Sequence, residues 1–284
     1  MPVSVSVGEH CGVMPYRTLR SMKQVIRPGA GQFARLLTLK VSIFGLIAMA
    51  TVASATRPVS RPIAYVPFVS ARVHYHAVQA DVSSGLVDPR TTYAERLVSP
   101  WRMIQDSQPT VAVNGTFFAP QNGIPVADVL VDGILEARGN RGSVLAVAVD
   151  GSVQITDRGF KRRFDWDGFR YGMRGGVRIL RKGKVCPNPK AQAFKDPRIW
   201  GRAARTAVGI TKHGKLLIVA TRHSVTLSQL AKAMRSRGVV DAVSLDGGGS
   251  TCMYYRGKMV VSTGRRLSNL FTLHERSTVA MLGR

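Results

Sequence analysis

Apolar residues in this chain come in short runs separated by turn formers. Val111–Val113, Val129–Val131, Val144–Val149, Val177–Leu180 and Leu216–Ala220 read as buried strands, and Val73–Gln79 alternates like a half-buried one. Asp132-Gly133, Asp150-Gly151 and Lys182-Gly183 each sit between two such runs and predict tight hairpins. Thr211 to Lys215 has the same character ahead of Leu216. Helical signals are sparse. Ser99 and Pro100 predict a short helix start. Leu227, Leu230, Ala231 and Met234 recur at helical spacing after Thr226, a plausible N-cap, and Gly238 predicts the stop. Pro187 to Arg205 reads as a long surface loop, a type that often serves as a lid. Together these elements predict an α+β fold of mixed, largely antiparallel sheets with few helices, in a single domain.

The chain has 284 residues. Its first 55 look like a targeting segment. Arg17, Arg20, Lys23, Arg27, Arg35 and Lys40 form a basic region, Val41–Val52 an apolar one, and Ala53-Ser54-Ala55 a small-x-small cleavage site. The apolar stretch is short for a membrane span, which needs about 20 residues. The expectation is export to the periplasm or beyond, with membrane contact confined to this segment where it stays uncleaved. Residues 56–70, with Pro58, Pro62 and Pro67, read as an extended leader, and 71–284 as the working domain.

Net charge is +25, and residues 56–284 alone hold 35 basic and 15 acidic groups, a formal +20. Such a field attracts polyanions. For an exported protein these are phosphate-containing glycans or cell-surface polymers; nucleic acid is not expected. The densest cluster is Lys161-Arg162-Arg163, between Arg158 and Arg170, interleaved with Phe160, Phe164, Trp166 and Phe169. It reads equally as a polymer-binding edge or as a structural strand with a basic face. Cys186 and Cys252 remain beyond the first 55 residues, either as one disulfide or as two buried thiols.

The most informative stretch is Val243-Ser244-Leu245-Asp246-Gly247-Gly248-Gly249-Ser250-Thr251. A buried strand delivers a carboxylate, and glycines then open the backbone. Amides of Gly247, Gly248, Gly249, Ser250 and Thr251 in such a loop suit an anion, above all phosphate. A plain glycine turn, with Asp246 as its capping residue, is the rival reading. Arg205, in Arg205-Thr206-Ala207-Val208-Gly209-Ile210, has a fork that matches phosphate oxygens. It reads alternatively as a structural ion pair with Asp246. Val111-Ala112-Val113-Asn114-Gly115-Thr116-Phe117-Phe118 and Arg265-Arg266-Leu267-Ser268-Asn269 complete an ordered set.

This set resembles the phosphodiester glycosidase family. That family's pattern has an Asn-Gly-x-x-Phe element, an Arg ahead of a strand-turn-strand, a Leu-Asp-Gly-Gly-Gly-Ser loop and a late Arg-x-x-x-Asn, and all four occur here in order, across roughly Arg72 to Leu273. The resemblance implies hydrolysis of a sugar-1-phosphodiester, with N-acetylglucosamine as one candidate sugar. It implies Asp246 acting at the sugar C1, Arg205 and Arg265 on the phosphate, Asn114 on the sugar, and Asn269 in a further contact. Asn114 otherwise reads as a left-handed Asn-Gly turn. Thr116 stands where many members carry a further glycine, which bears on the pocket's shape. A second carboxylate is expected among Asp128, Asp132 and Glu136, with Asp128 best placed.

Other templates fit less well. Gly248-Gly249-Ser250-Thr251-Cys252 lacks the second glycine of a serine-hydrolase elbow. His74 and His76 share one strand face without a third ligand in view, so no metal or other cofactor is expected, although Ca²⁺ or Mg²⁺ on acidic side chains stays open. The rival to a hydrolase is a non-catalytic polyanion-binding protein of the envelope.

Overall fold

A computed structural model describes residues 61–157, 162–192 and 194–276. The proposed targeting segment and residues 56–60 lie outside them. The first half runs β1 (Ile63–Tyr65), β2 (Phe68–Ser70), β3 (Val73–Ala80), β4 (Val87–Val98), α1 (Pro100–Ser107), β5 (Val111–Asn114), β6 (Val129–Val131), β7 (Ile134–Ala137), β8 (Ser143–Ala148) and β9 (Val153–Thr156). The second half runs β10 (Phe169–Arg181), β11 (Lys184–Val185), α2 (Pro197–Trp200), β12 (Ala203–Thr211), β13 (Leu216–Val225), α3 (Leu227–Arg235), β14 (Val239–Ser244), β15 (Met253–Tyr255), β16 (Lys258–Val261) and β17 (Leu267–Glu275).

The strands form two sheets. The larger has twelve strands, with β1-β3-β13-β12-β14-β10-β6-β7 as its main path; the smaller is ordered β16-β15-β5-β17-β4. Every strand pair among the described residues is antiparallel. The expected antiparallel sheets and scarcity of helices are therefore present. The mixed pairing is not, and the fold is mostly β. The reason lies in the connections: hairpins join neighbouring strands, and the three helices among the described residues are too few to serve as parallel crossovers.

Alternation along the strands builds the layers. In β5, Val111 and Val113 point into the core shared by both sheets, with Val208, Val243, Leu245, Phe271 and Leu273. Ala112, between them, faces α1 through Met103 and Ile104. The opposite face of the large sheet is covered by Leu227, Leu230, Ala231 and Met234 of α3. Thr226 caps that helix, as its sequence predicts, and Gln229 completes a capping box with it. Ser99 makes no side-chain cap for α1, where Pro100 occupies the first turn.

The hairpins fall where expected. At Asp132-Gly133 and Lys182-Gly183 both residues have positive φ, the geometry that joins twisted strands in two residues. From Ile63 the segment read as a leader is built into the sheet: β1 and β2 both pair with β3, and Ile63 is fully buried. Arg158, Phe160 and Lys161 of the basic cluster lie outside the described residues. Arg162 and Arg163 are exposed, while Phe164, Trp166 and Phe169 pack on one another with centroids 4.7 to 6.1 Å apart. No helix among the described residues is long and apolar enough to cross a membrane.

Candidate active site

The site forms where the two sheets meet. β14 ends at Ser244, and its register with β12 continues through the Leu245 N–H to Thr206 C=O bond of 2.9 Å, setting Arg205 beside Asp246. From the other sheet, β5 ends at Asn114. The Asn114 Nδ2 donates to the Asp246 carbonyl at 2.7 Å, while its Oδ1 accepts from the Thr206 hydroxyl at 2.6 Å and the Cys252 N–H at 3.1 Å. The Asp246 N–H donates to the Gly115 carbonyl at 3.1 Å. Asn114 is thus buried and spent on holding the Asp246 loop. Its φ is not left-handed, so the turn reading does not describe it, and both ends of its amide are engaged within the protein.

Asn269 does similar work one step out. Its Oδ1 accepts the Thr116 N–H at 2.6 Å, and its Nδ2 donates to the Thr116 carbonyl at 3.4 Å. The backbone of Gly115 lies against it so closely that a Cβ there would stand 2.0 Å from Asn269 Oδ1. Asn269 and Thr116 are both buried and clasp the turn that supports Asp246.

Asp246 lines a cleft of about 470 Å³, a size suited to a sugar with a phosphate. The walls carry Phe117, Phe118, Phe194, Ile199 and Ala203, together with the cations Arg141, Lys195, Arg198, Arg205 and Arg265. A larger hollow of about 830 Å³ lies between β4 and α1, but none of the motif residues lines it. Burial pushes the Asp246 carboxyl above the usual carboxylate range. The Ser250 hydroxyl, the Gly247 N–H and the guanidiniums of Arg265 and Arg205 pull it down without cancelling that effect.

Arg205 is buried, and burial lowers its pKa while Asp246 supports its charge. It donates from Nε to the Val225 carbonyl at 3.3 Å, and from Nη2 to the Ile199 carbonyl at 3.1 Å and to that of Gly201. No ion pair joins it to Asp246, so the structural pair considered from sequence is not formed. Cation and carboxylate feel each other across a gap. Arg265 lies over the Phe118 ring at 4.8 Å, which fixes its direction beside Gly249.

The glycine loop offers fewer donors than expected. Asp246 Oδ1 takes the Gly247 N–H at 2.8 Å. The Ser250 and Thr251 amides close turns on the carbonyls of Gly247 and Gly248. Both side chains are fully buried, the Thr251 hydroxyl without a hydrogen-bond partner and the Ser250 hydroxyl acting on the Asp246 carboxyl, whose pKa it lowers. Ser250 and Thr251 therefore do not reach the cleft, whereas Gly247, Gly248 and Gly249 line it.

Asp128 is not in the cleft. Its oxygens accept the Gly139 N–H at 2.8 Å and the Trp166 indole N–H at 3.1 Å, near the buried Arg174. It pins the loop after β7. Asp128→Asn, which keeps an oxygen for Gly139, is expected to retain kcat within about tenfold, whereas loss of a catalytic carboxylate costs 10² to 10⁴-fold; steady-state kinetics decides. The second carboxylate in the cleft is Asp196, which sequence reasoning missed. It caps α2, and its hydrogen bonds to Arg198, at 2.6 to 3.0 Å, hold its pKa down. Its one signal in the sequence was its place in the Pro187–Arg205 segment. Asp132 pairs with Arg170 and Glu136 is exposed; neither lines the cleft.

Among the described residues no group of three His, Cys, Asp or Glu side chains is placed to hold a metal. Cys186 and Cys252 are free thiols. Burial pushes the Cys252 thiol up to about 12. Maleimide is expected to label Cys186 in the native chain from Thr56 onward and Cys252 only after unfolding, read by peptide mass spectrometry.

The sequence profile described as phosphodiester glycosidase matches residues 107–278. N-acetylglucosamine-1-phosphodiester alpha-N-acetylglucosaminidase of Bos taurus is 25% identical over 194 residues, which cover 58% of this chain and 37% of that one. Its Mus musculus counterpart is 25% identical over 166 residues, covering 52% and 32%. The chain thus spans about a third of the length of these relatives. In fold it is similar to the zebrafish N-acetylglucosamine-1-phosphodiester alpha-N-acetylglucosaminidase catalytic domain auto-inhibited by pro-peptide. The TM-score is 0.63 and the identity 21%, over 75% of this chain and 82% of that one. A hypothetical protein from Synechocystis has a TM-score of 0.61 at 15% identity, over 76% and 62%. With its profile match spanning the strand that ends in Asn114, the Asp246 loop and the Arg265–Asn269 element, the chain belongs to the phosphodiester glycosidase family.

Proposed function

We propose that the protein hydrolyses the glycosidic bond of a sugar-1-phosphodiester in an exported glycan or surface polysaccharide. The observation that carries this is Asp246: one partly buried carboxyl, shifted upward, facing Arg205 and Arg265 across an open cleft. A phosphodiester placed between them meets positive charge at its oxygens and the carboxyl at C1. In the reaction the C1–O bond breaks, a water oxygen bonds to C1, the phosphate leaves with the bond's electron pair, and the water's proton goes to a base. Phosphate leaves readily, so strong acid help is dispensable. Asp246 stabilises the charge developing at C1, and its raised pKa makes it a better base for the attacking water than an ordinary carboxylate. Arg205, Arg265 and the Gly248 and Gly249 amides hold the phosphate. Phe117, Phe118 and Phe194 offer apolar faces to the sugar. The basic and apolar stretches before Thr56 support export.

The test is release of free sugar from N-acetylglucosamine-1-phosphate diesters by the chain from Thr56 onward. Release that disappears in Asp246→Asn supports the reading. Binding without release, weakened by salt and indifferent to Asp246→Asn, supports the envelope-binding alternative instead.

A further inference from the structure

The cleft holds more positive charge than one phosphodiester uses. With Asp246 ionised, Arg205 and Arg265 balance that carboxylate and a single phosphodiester charge. Asp196 engages Arg198 in an ion pair of 2.6 Å. Arg141 and Lys195 remain: both are exposed, both line the cleft, and neither has an ion-pair partner among the described residues.

The backbone that presents these two cations is firmly built. Arg141 sits on the loop between β7 and β8. At one end the Gly139 N–H is held by Asp128, and Gly139 packs so tightly that a Cβ would stand 2.3 Å from the Val126 carbonyl oxygen. At the other end Gly142, with φ of +71°, presses on Gly175 and Gly176, where a Cβ would meet the Gly176 oxygen at 2.6 Å. Its carbonyl also accepts from Arg174 Nε at 3.3 Å. Lys195 lies between two anchors of its own. Phe194 is buried against Phe117, with ring centroids 5.4 Å apart, and Asp196 caps α2. A freely solvated cation needs no such support.

We infer that Arg141 and Lys195 form a second anionic subsite, and that the substrate carries a further negative group on the aglycone side of the scissile phosphodiester. The chemical class is a glycosyl phosphate whose leaving group is itself phosphorylated or otherwise anionic: a diphosphate-linked sugar, or a polymer of repeating glycosyl phosphates. This rests on the hydrolase reading above.

The experiment compares three probes. These are the methyl diester of N-acetylglucosamine-1-phosphate, UDP-N-acetylglucosamine, and an oligomer of repeating N-acetylglucosamine phosphate units. Wild type and the double variant Arg141→Gln/Lys195→Gln are assayed for sugar release. Binding of each probe to both proteins is measured by calorimetry, independently of turnover. Wild type is expected to favour a multiply charged probe over the methyl diester, and the double variant to cut that kcat/KM ratio about tenfold. Loss on UDP-N-acetylglucosamine as well as the oligomer marks a diphosphate-sized subsite; loss on the oligomer alone marks a polymer track. Methyl diester turnover with an unchanged ratio overturns the subsite and leaves the hydrolase reading standing. No turnover, with charge-selective binding that the double variant abolishes, overturns the hydrolase reading and keeps the subsite. Neither turnover nor charge-selective binding overturns both.

Discussion

Asp246→Asn is expected to reduce sugar release by about 10³-fold or more while raising the melting temperature at neutral pH. The two effects share one cause. Asp246 ends the run from β14 in a partly enclosed position where burial opposes its charge, and the neighbouring guanidiniums do not fully offset that cost. An amide of the same shape keeps an acceptor for the Gly247 N–H, a 2.8 Å bond in the wild type, and carries no charge to desolvate. The gain reads out as a rise in melting temperature at neutral pH. Its pH dependence has a definite sign. The folded pKa lies above the unfolded one, so the wild type bears no penalty below the unfolded value and the full penalty above the folded value. The variant's advantage is therefore greatest at neutral and alkaline pH and vanishes below about pH 4. Calorimetric melts across pH, run beside the activity assay, check both parts. A variant that loses activity and also melts lower at pH 7 contradicts this account.

Gly115→Ala is expected to lower stability by about 2–4 kcal/mol and activity by about 10²-fold. The new methyl group would fall 2.0 Å from Asn269 Oδ1, 3.0 Å from its Cγ and 3.1 Å from Met173 Cε. Asn269 cannot retreat without releasing the Thr116 N–H. Gly115 cannot retreat without moving the carbonyl that accepts the Asp246 N–H. The strain thus reaches the Asp246 carboxyl through two bonds, not through direct contact with substrate. Chemical denaturation and kcat measure the two effects. Activity near wild type would show that the Asp246 loop tolerates displacement of its support.

Much of this architecture was legible because its signals are local. Asp132-Gly133 and Lys182-Gly183 announce hairpins through the residues that accept positive φ. Thr226 announces a helix start as the cap ahead of an apolar run at helical spacing. β10 was foreseen as Val177–Leu180 yet spans Phe169–Arg181. Gly172, Gly175, Gly176 and Arg174 interrupt its apolar run and mimic a loop. In the fold, Gly172 makes room for Trp166 and Gly176 for Val243, while Arg174 is satisfied by the carbonyls of Gly142 and Arg162. Those reasons are tertiary and leave no periodicity.

The site divides along the same line. The Asp246 loop stands out in the sequence because its glycines and carboxylate are contiguous. Asn114 and Asn269 also stood out, but their work did not, since their partners lie as far as 138 and 153 residues away. Ser250 and Thr251 looked like phosphate donors because alternation is unreadable in a tight turn; their burial decides otherwise. Asp196 and Arg141 belong to no motif. They become neighbours of Asp246 through the path of two loops across the cleft.

The stitching of Asn114 and Gly115 to Asp246 and Thr206 has a consequence for how the protein fails. These bonds run between the two sheets, so the Asp246 loop is part of the seam that joins them. Local breathing cannot disorder this loop while the rest of the domain stays intact. The amides of Leu245, Asp246 and Cys252, bonded across this seam, belong with the slowly exchanging protons of the molecule, and the proposed activity is expected to be lost on warming in step with global unfolding, not ahead of it.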